Sequence, residues 1–354
     1  MQQSDEFLHT QPLYPFRFIP IYKDYLWGGE RLRTRFGRPL PKERIAESWD
    51  IVDRPGDESV ILNGALRGRT LNELVRNRRK DLLGAKAVDS CRYERFPLIL
   101  KYLDARLPLS VQVHPDDEVA TATNLADGGK TEAWLVVDAV PDSKLWVGTN
   151  RNYSKKELEN AIRIGKLEHC LHSVPAKVGD CFFLPAGTLH ALGAGIMVVE
   201  VQTNSDITFR LFDWNRVGSD GKPRDLKVPE ALCAMVDPCG PISIQTPFST
   251  EHENCERLVI DSRFTLNRWQ VREPFVWHND DRAHLWTVLE GTAVIIFNAG
   301  RRTSPTSRSE RERDPDAIEV LHMGDSLLVP AMCPSLRWTS EGKKRTVLLD
   351  VGVT

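Results

Sequence analysis

Strict alternation through Leu109-Ser110-Val111-Gln112-Val113-His114-Pro115 constrains this chain more than any other feature, because only an extended strand with one dry face and one polar face satisfies it. With a period of two residues, Val111 and Val113 turn toward an apolar layer while Ser110, Gln112 and His114 share the opposite side. Pro115 ends the strand. Polar groups that project together need partners, and a metal or a sugar would supply them.

Residues 97–102, 132–138, 180–184 and 196–203 read as further short strands, closely spaced and broken by Gly, Pro, Asn and Asp. That pattern predicts a sandwich or barrel. Helices are expected in three places. After Thr70, the residues Leu71, Leu74 and Val75 fall on one helical face, and Gly84 can end the run. Ser154 and Glu157 form a capping-box pattern ahead of Leu158 and Ile162, with Gly165 as a stop. A third short helix begins near Pro229 and covers residues 231–235.

The sequence Pro238-Cys239-Gly240-Pro241 predicts a division of the 354 residues into 1–238 and 239–354. The two parts carry an echo. Gly179-Asp180-Cys181-Phe182-Phe183-Leu184-Pro185-Ala186 is repeated in outline by Gly324-Asp325-Ser326-Leu327-Leu328-Val329-Pro330-Ala331, which suggests two copies of one β architecture. Where the first copy goes on to His190, the second has Cys333-Pro334-Ser335, so only the first is equipped for metal chemistry. Residues 301–316, rich in Arg, Ser, Glu and Asp, read as a mobile loop.

A near balance of 47 basic and 49 acidic residues gives no reason to expect nucleic acid or a membrane surface as partner, and points to a small molecule. The N-terminus lacks the apolar stretch of a signal peptide, and no segment is apolar for long enough to cross a bilayer. The seven cysteines form no C-x-x-C pair, so thiols in a reducing, cytoplasmic setting are expected.

Of nine histidines, His114 and His190 each end a strand-like segment beside turn residues. A lone histidine there is ordinarily a hydrogen-bonded structural group, but Glu132, which alternation sets on one side with Lys130 and Trp134, alters that balance. Two imidazoles and a carboxylate make an open zinc site, or equally a ferrous one. Gln112 can either ligate or orient His114. Further on, Glu200 and Gln202 alternate with valines, and Arg210 shares a face with Thr208 and Phe212. A salt bridge is the plain alternative for Glu200 and Arg210.

Taken in order, Ser110-Val111-Gln112-Val113-His114-Pro115-Asp116-Asp117, Gly129-Lys130-Thr131-Glu132, Pro185-Ala186-Gly187-Thr188-Leu189-His190-Ala191 and Arg210-Leu211-Phe212-Asp213-Trp214 resemble the type I mannose-6-phosphate isomerases of the shorter bacterial kind. Trp27-Gly28-Gly29, Glu47-Ser48-Trp49 and Gly221-Lys222-Pro223-Arg224 are similar to family segments as well. The resemblance implies a mainly β chain of two cupin-type jelly-roll barrels with a few added helices. It implies one zinc ion per chain, held by Gln112, His114, Glu132 and His190, with Arg210 catalytic and Lys130 and Ser110 near the substrate. Glu200 is our candidate for the base that moves a proton between C1 and C2 of a sugar phosphate through an enediol, with metal-bound water or a histidine as the alternatives. The expected assembly is a monomer or a weak homo-oligomer. Two rival readings are a ferrous cupin dioxygenase and a non-enzymatic sugar-binding cupin that keeps a metal.

Overall fold

The apolar alternation is realised as antiparallel strands whose valines and leucines fill two sheet-built interiors. The computed structural model describes residues 7–86, 94–217, 221–297, 317–333, 335–342 and 345–354. Residues 301–316 and Cys91 lie outside the described residues. The chain divides into two compact units, one of Tyr22–Trp49 with Leu98–Thr246, the other of Met1–Ile21, Asp50–Pro97 and Pro247–Thr354. This is a different division from a cut after residue 238. The reason lies in long-range pairing within the second unit. Phe16 and Leu328 exchange backbone hydrogen bonds of 2.8 and 2.9 Å, and Ala331 donates to the carbonyl of Leu82 at 2.9 Å.

In the unit containing Leu98–Thr246, one sheet has the strand order β1 (Ile21–Lys23), β2 (Glu47–Ile51), β5 (Leu98–Ala105), β12 (Ile196–Thr203), β7 (Glu132–Ala139) and β10 (Cys181–Leu184). The other runs β13 (Phe209–Phe212), β6 (Val111–Val113), β11 (His190–Ala191), β8 (Lys144–Tyr153) and β14 (Cys239–Pro241), with β9 (Leu171–Pro175) also paired to β8. Leu103, Trp134, Val136, Phe182, Leu184 and Val198 are among its fully buried side chains. Each buried leucine or valine contributes roughly 1.5–3 kcal/mol relative to exposure.

The C-terminal unit repeats the scheme. Its sheets are β15 (Phe248–Ser249), β16 (Cys255–Ile260), β17 (Phe264–Val271), β24 (Thr346–Val353), β19 (His284–Glu290) and β22 (Ser326–Val329), and β18 (Phe275–His278), β23 (Ser335–Ser340), β20 (Thr292–Phe297) and β21 (Ala317–His322). A small ribbon joins β3 (Asp53–Arg54) to β4 (Asp57–Glu58). The order β5-β12-β7-β10 thus recurs as β17-β24-β19-β22. Glu200 lies opposite both Lys101 and Trp134, and Asp350 opposite both Asn267 and Trp286. Glu132 pairs with Gln202 and Leu184, and His284 with Gly352 and Val329. His284 therefore takes the position that Glu132 holds in the other unit.

All three expected helices form. Helix Leu71–Leu83 opens with a capping box between Thr70 and Glu73 and stops at Gly84, whose φ of 86° suits glycine. Helix Lys155–Arg163 opens with the Ser154–Glu157 box, and Val228–Ala234 has Pro229 in its first turn. Helix Asp117–Ala122 was not anticipated; Asp116 caps it by accepting from the Val119 amide. No helix among the described residues is long and apolar enough to cross a membrane.

Inside the C-terminal unit, buried His284 donates from Nδ1 to Asp350 at 2.7 Å and from Nε2 to Asp280 at 2.9 Å. Asn267 donates to the second Asp350 oxygen at 3.0 Å. Burial works against the charge on the ring, but Asp350 and Asp280 outweigh it and carry His284 up to about 9. Because the folded value is raised, this contribution to stability is complete below the ordinary histidine range and is lost as pH rises through about 9. Thermal unfolding should therefore fall by several degrees between neutral pH and pH ~9.5 in the wild type. In His284→Gln the fall should be much shallower, and equal slopes for the two proteins would refute the assignment.

Candidate active site

Five strands of the Leu98–Thr246 unit bring the polar residues together. On one sheet Gln112 is flanked by His190 and Arg210, its cross-strand neighbours. The other sheet supplies Glu132 at the start of β7, beside Gln202 of β12. Two turns set the approach. Gly129 lies so close to the backbone of Asp116 and Asp117 that a Cβ there would come within 2.6 Å, and the next residue, Lys130, donates its amide to Pro115 O at 2.9 Å. The Pro185–His190 turn is tied to the first histidine by the Gly187 amide, which donates to His114 O at 2.8 Å.

Both imidazoles are held in one tautomer. His114 Nδ1 donates to Ile207 O at 2.6 Å, and His190 Nδ1 to Thr188 O at 2.9 Å. Since carbonyls only accept, each Nε2 is left with its lone pair toward the site. His114 Nε2 stands 3.5 Å from Glu132 Oε2, and His190 Nε2 stands 3.2 Å from Glu132 Oε1. Burial, helped by Lys130, pushes His114 down to about 3, and burial lowers His190 as well. For Glu132 burial acts the other way, but the Lys130 ammonium holds it well below the usual carboxylate range. The result is neutral imidazoles facing an ionised carboxylate.

Such a set fits a cation and little else. One ligand atom from each of His114, Glu132 and His190 can lie within 4.8 Å of the others, and all three residues are buried. His114 Nε2 and Glu132 Oε1 have no hydrogen-bond donor, while Glu132 Oε2 faces the Lys130 ammonium at 3.0 Å. A buried acceptor left unpaired costs about 1–3 kcal/mol, more when charged, so acceptors turned on one another call for a positive ion between them. Gln112 borders the same space. Its Nε2 lies 3.3 Å from His190 Nε2, and its Oε1 accepts from Ser110 Oγ at 3.4 Å. Turning the amide over would bring the oxygen to the histidine side and leave the nitrogen to donate to Ser110.

Beside the acceptors runs a buried line of alternating charges. Lys130 Nζ is 3.0 Å from Glu132 and 3.6 Å from Glu200. Lys101 Nζ is 3.3 Å from Glu200 and 3.4 Å from Glu47, whose Oε2 also accepts from Trp49 Nε1 at 2.6 Å. Trp134 Nε1 donates to the other Glu200 oxygen at 3.1 Å. Burial, with Glu132 nearby, pushes Glu200 up to about 7 against the pull of Lys101 and Lys130. Burial lowers Lys101, but Glu200 and Glu47 more than restore it and leave it raised. The sequence pattern assigns no role to Lys101 or Glu47. A lysine inside the apolar run Leu98-Ile99-Leu100-Lys101-Tyr102-Leu103 was the available signal for the first.

Arg210 is half-buried at the edge of this space. Its Nε donates to Ser110 Oγ at 3.1 Å and its Nη1 to Asp225 O at 3.0 Å. Burial and the neighbouring Arg224 lower the guanidinium, which stays cationic. Asp213 clamps Arg216 and Arg224, and Trp214 Nε1 donates to Leu109 O at 2.6 Å, which explains why these residues occur together in the sequence. All eight anticipated site residues thus lie in one unit, with Ser110 linking Gln112 to Arg210.

Comparison with known proteins agrees with this geometry. Residues 15–134 match the family model of the type I phosphomannose isomerase catalytic domain. The chain is 35% identical to the mannose-6-phosphate isomerase ManA of Bacillus subtilis over 292 residues, covering 81% of this chain and 88% of that protein. It is 37% identical over 248 residues to a mannose-6-phosphate isomerase of Streptococcus mutans, covering 70% and 75%. The crystal structure of the mannose 6-phosphate isomerase from Bacillus subtilis superposes with a TM-score of 0.81 at 29% identity, covering 96% of this chain and 99% of that one. With its cupin-like, mainly β fold and its buried His-Glu-His cluster, the chain belongs to the type I phosphomannose isomerase family.

Proposed function

We propose that this protein interconverts mannose 6-phosphate and fructose 6-phosphate by moving a proton between C1 and C2 through a cis-enediol. The observation that carries the reading is the set of donorless acceptors on His114 and Glu132, standing beside a carboxylate, Glu200, poised near neutrality. One zinc ion per chain, held by Gln112, His114, Glu132 and His190, would supply a Lewis acid that stabilises charge developing on the substrate oxygens. Two imidazoles with oxygen donors and room for substrate suit that ion.

The remaining work falls to the chain's own groups. Glu200 takes the proton from C2 of the aldose and returns it to C1, a task suited to a group that titrates at about 7. Trp134 fixes one of its oxygens and leaves the other toward Lys101 and Lys130. Lys130 holds a substrate oxygen near the reacting carbons, since its ammonium lies between Glu132 and Glu200. Arg210, oriented by Ser110 and the Asp225 carbonyl, binds the oxygens at which negative charge gathers and assists ring opening. Ser110 sits within reach of the same substrate. The described cysteines are free thiols, in keeping with action in the cytoplasm.

A coupled assay of the zinc-loaded protein should register conversion of mannose 6-phosphate to fructose 6-phosphate without oxygen uptake. Absence of turnover, or oxygen consumption in its place, would contradict the reading. His190→Ala should lose zinc and activity together, which elemental analysis and the same assay check; full metal and a normal rate would remove His190 from the ligand set. Arg210→Ala should keep its zinc and lose about 10²–10³-fold in kcat. For Glu200→Gln we expect retained zinc, a kcat lower by about 10²-fold or more, and no exchange of solvent deuterium into the C2 position. Unchanged exchange would exclude Glu200 as the base.

A further inference from the structure

Gln202 is the next inward-facing residue after Glu200 on β12, it is 1% exposed, and its cross-strand neighbour is Glu132. Its Nε2 donates to the carbonyl oxygens of Thr203 at 3.2 Å and Ser205 at 2.6 Å. Two carbonyls can accept only from the nitrogen, so the orientation of this amide is determined. Oε1 is then left buried and without a donor. It joins His114 Nε2 and Glu132 Oε1, which also lack a donor, whereas Glu132 Oε2 and Glu200 Oε1 face lysine ammonium groups at 3.0 to 3.6 Å.

These acceptors differ in kind. The carboxylates and imidazole are accounted for by a cation and by the lysines, whereas Gln202 Oε1 is neutral, accepts only, and has neither lysine as a hydrogen-bond partner. The complementary group is a neutral hydroxyl. A sugar phosphate brings several, and those at C3 and C4 lie off the reacting pair of carbons. We propose that Gln202 Oε1 accepts a hydrogen bond from the C3 or C4 hydroxyl of the bound sugar phosphate, and so selects for substrates that carry that hydroxyl. The inference rests on the isomerase reading above. A site built to pair with a hydroxyl rejects an analogue lacking it, because the buried acceptor is then left empty.

The test uses zinc-loaded protein with mannose 6-phosphate and its 3-deoxy and 4-deoxy analogues. Wild type should prefer the full substrate to one analogue by about tenfold or more in kcat/KM. In Gln202→Met, with zinc content unchanged, that ratio should collapse toward unity, whereas a structural role would lower both rates and keep the ratio. Gln202→Glu retains an acceptor oxygen while losing the amide donor, so its ratio should stay near that of wild type; this arm stands even if the methionine variant does not fold. An unchanged ratio in Gln202→Met overturns the proposal, as does loss of zinc in that variant or a collapsed ratio in Gln202→Glu. A wild type that isomerises all three sugars equally overturns this inference alone, and one that isomerises none overturns the reading beneath it.

Discussion

Alternating buried charge is the constraint on which this structure turns. Glu47, Lys101, Glu200, Lys130 and Glu132 follow one another at 3.0 to 3.6 Å, each nearly closed off from solvent. Taking such groups out of water costs several kcal/mol per ion, which mutual attraction offsets only where every member has a partner. Removing Lys101 would strand Glu47 and Glu200 together. The line also ends out of balance, with three carboxylates against two ammonium groups. The excess falls on Glu132, between two neutral imidazoles, where a divalent cation would make up the deficit of positive charge and offer sugar oxygens a Lewis acid.

The C-terminal unit balances its buried charge with an imidazolium. At the positions of Glu132, Glu200 and Lys101 it carries His284, Asp350 and Asn267. The cation here is the imidazolium itself, satisfied on both nitrogens by Asp350 and Asp280. A β scaffold that recurs twice in one chain therefore hosts a reactive arrangement once and a closed one once. Chemistry follows the residues at three or four registers and not the sheet that presents them.

Much of this was legible from local pattern. Alternation in residues 109–114 put Gln112 and His114 on one side, and the Thr70 and Ser154 caps marked two helices correctly. Whether Gln112 faces a metal could not be read from alternation, because an amide that ligates and one that orients a neighbour share the same face. Asp116, which follows the His114-Pro115 pair in the segment that carries the family resemblance, serves as a helix cap. Lys101 escaped notice because its partners, Glu47 and Glu200, are far from it in the chain and meet it only through strand pairing. The division into units was illegible for the same reason: it depends on hydrogen bonds such as Phe16 to Leu328, and not on composition around residue 238.

The central claim is that the donorless acceptors of His114 and Glu132 exist to hold one divalent ion on which isomerisation depends. Stripping the protein with a chelator and titrating zinc back, with bound metal and mannose 6-phosphate turnover followed in parallel, tests it most directly. The account predicts that activity vanishes with the ion and returns in proportion to zinc, saturating at about one per chain. Metal-free protein that still turns over at its original rate, or zinc that binds elsewhere while this cluster stays empty, would contradict it.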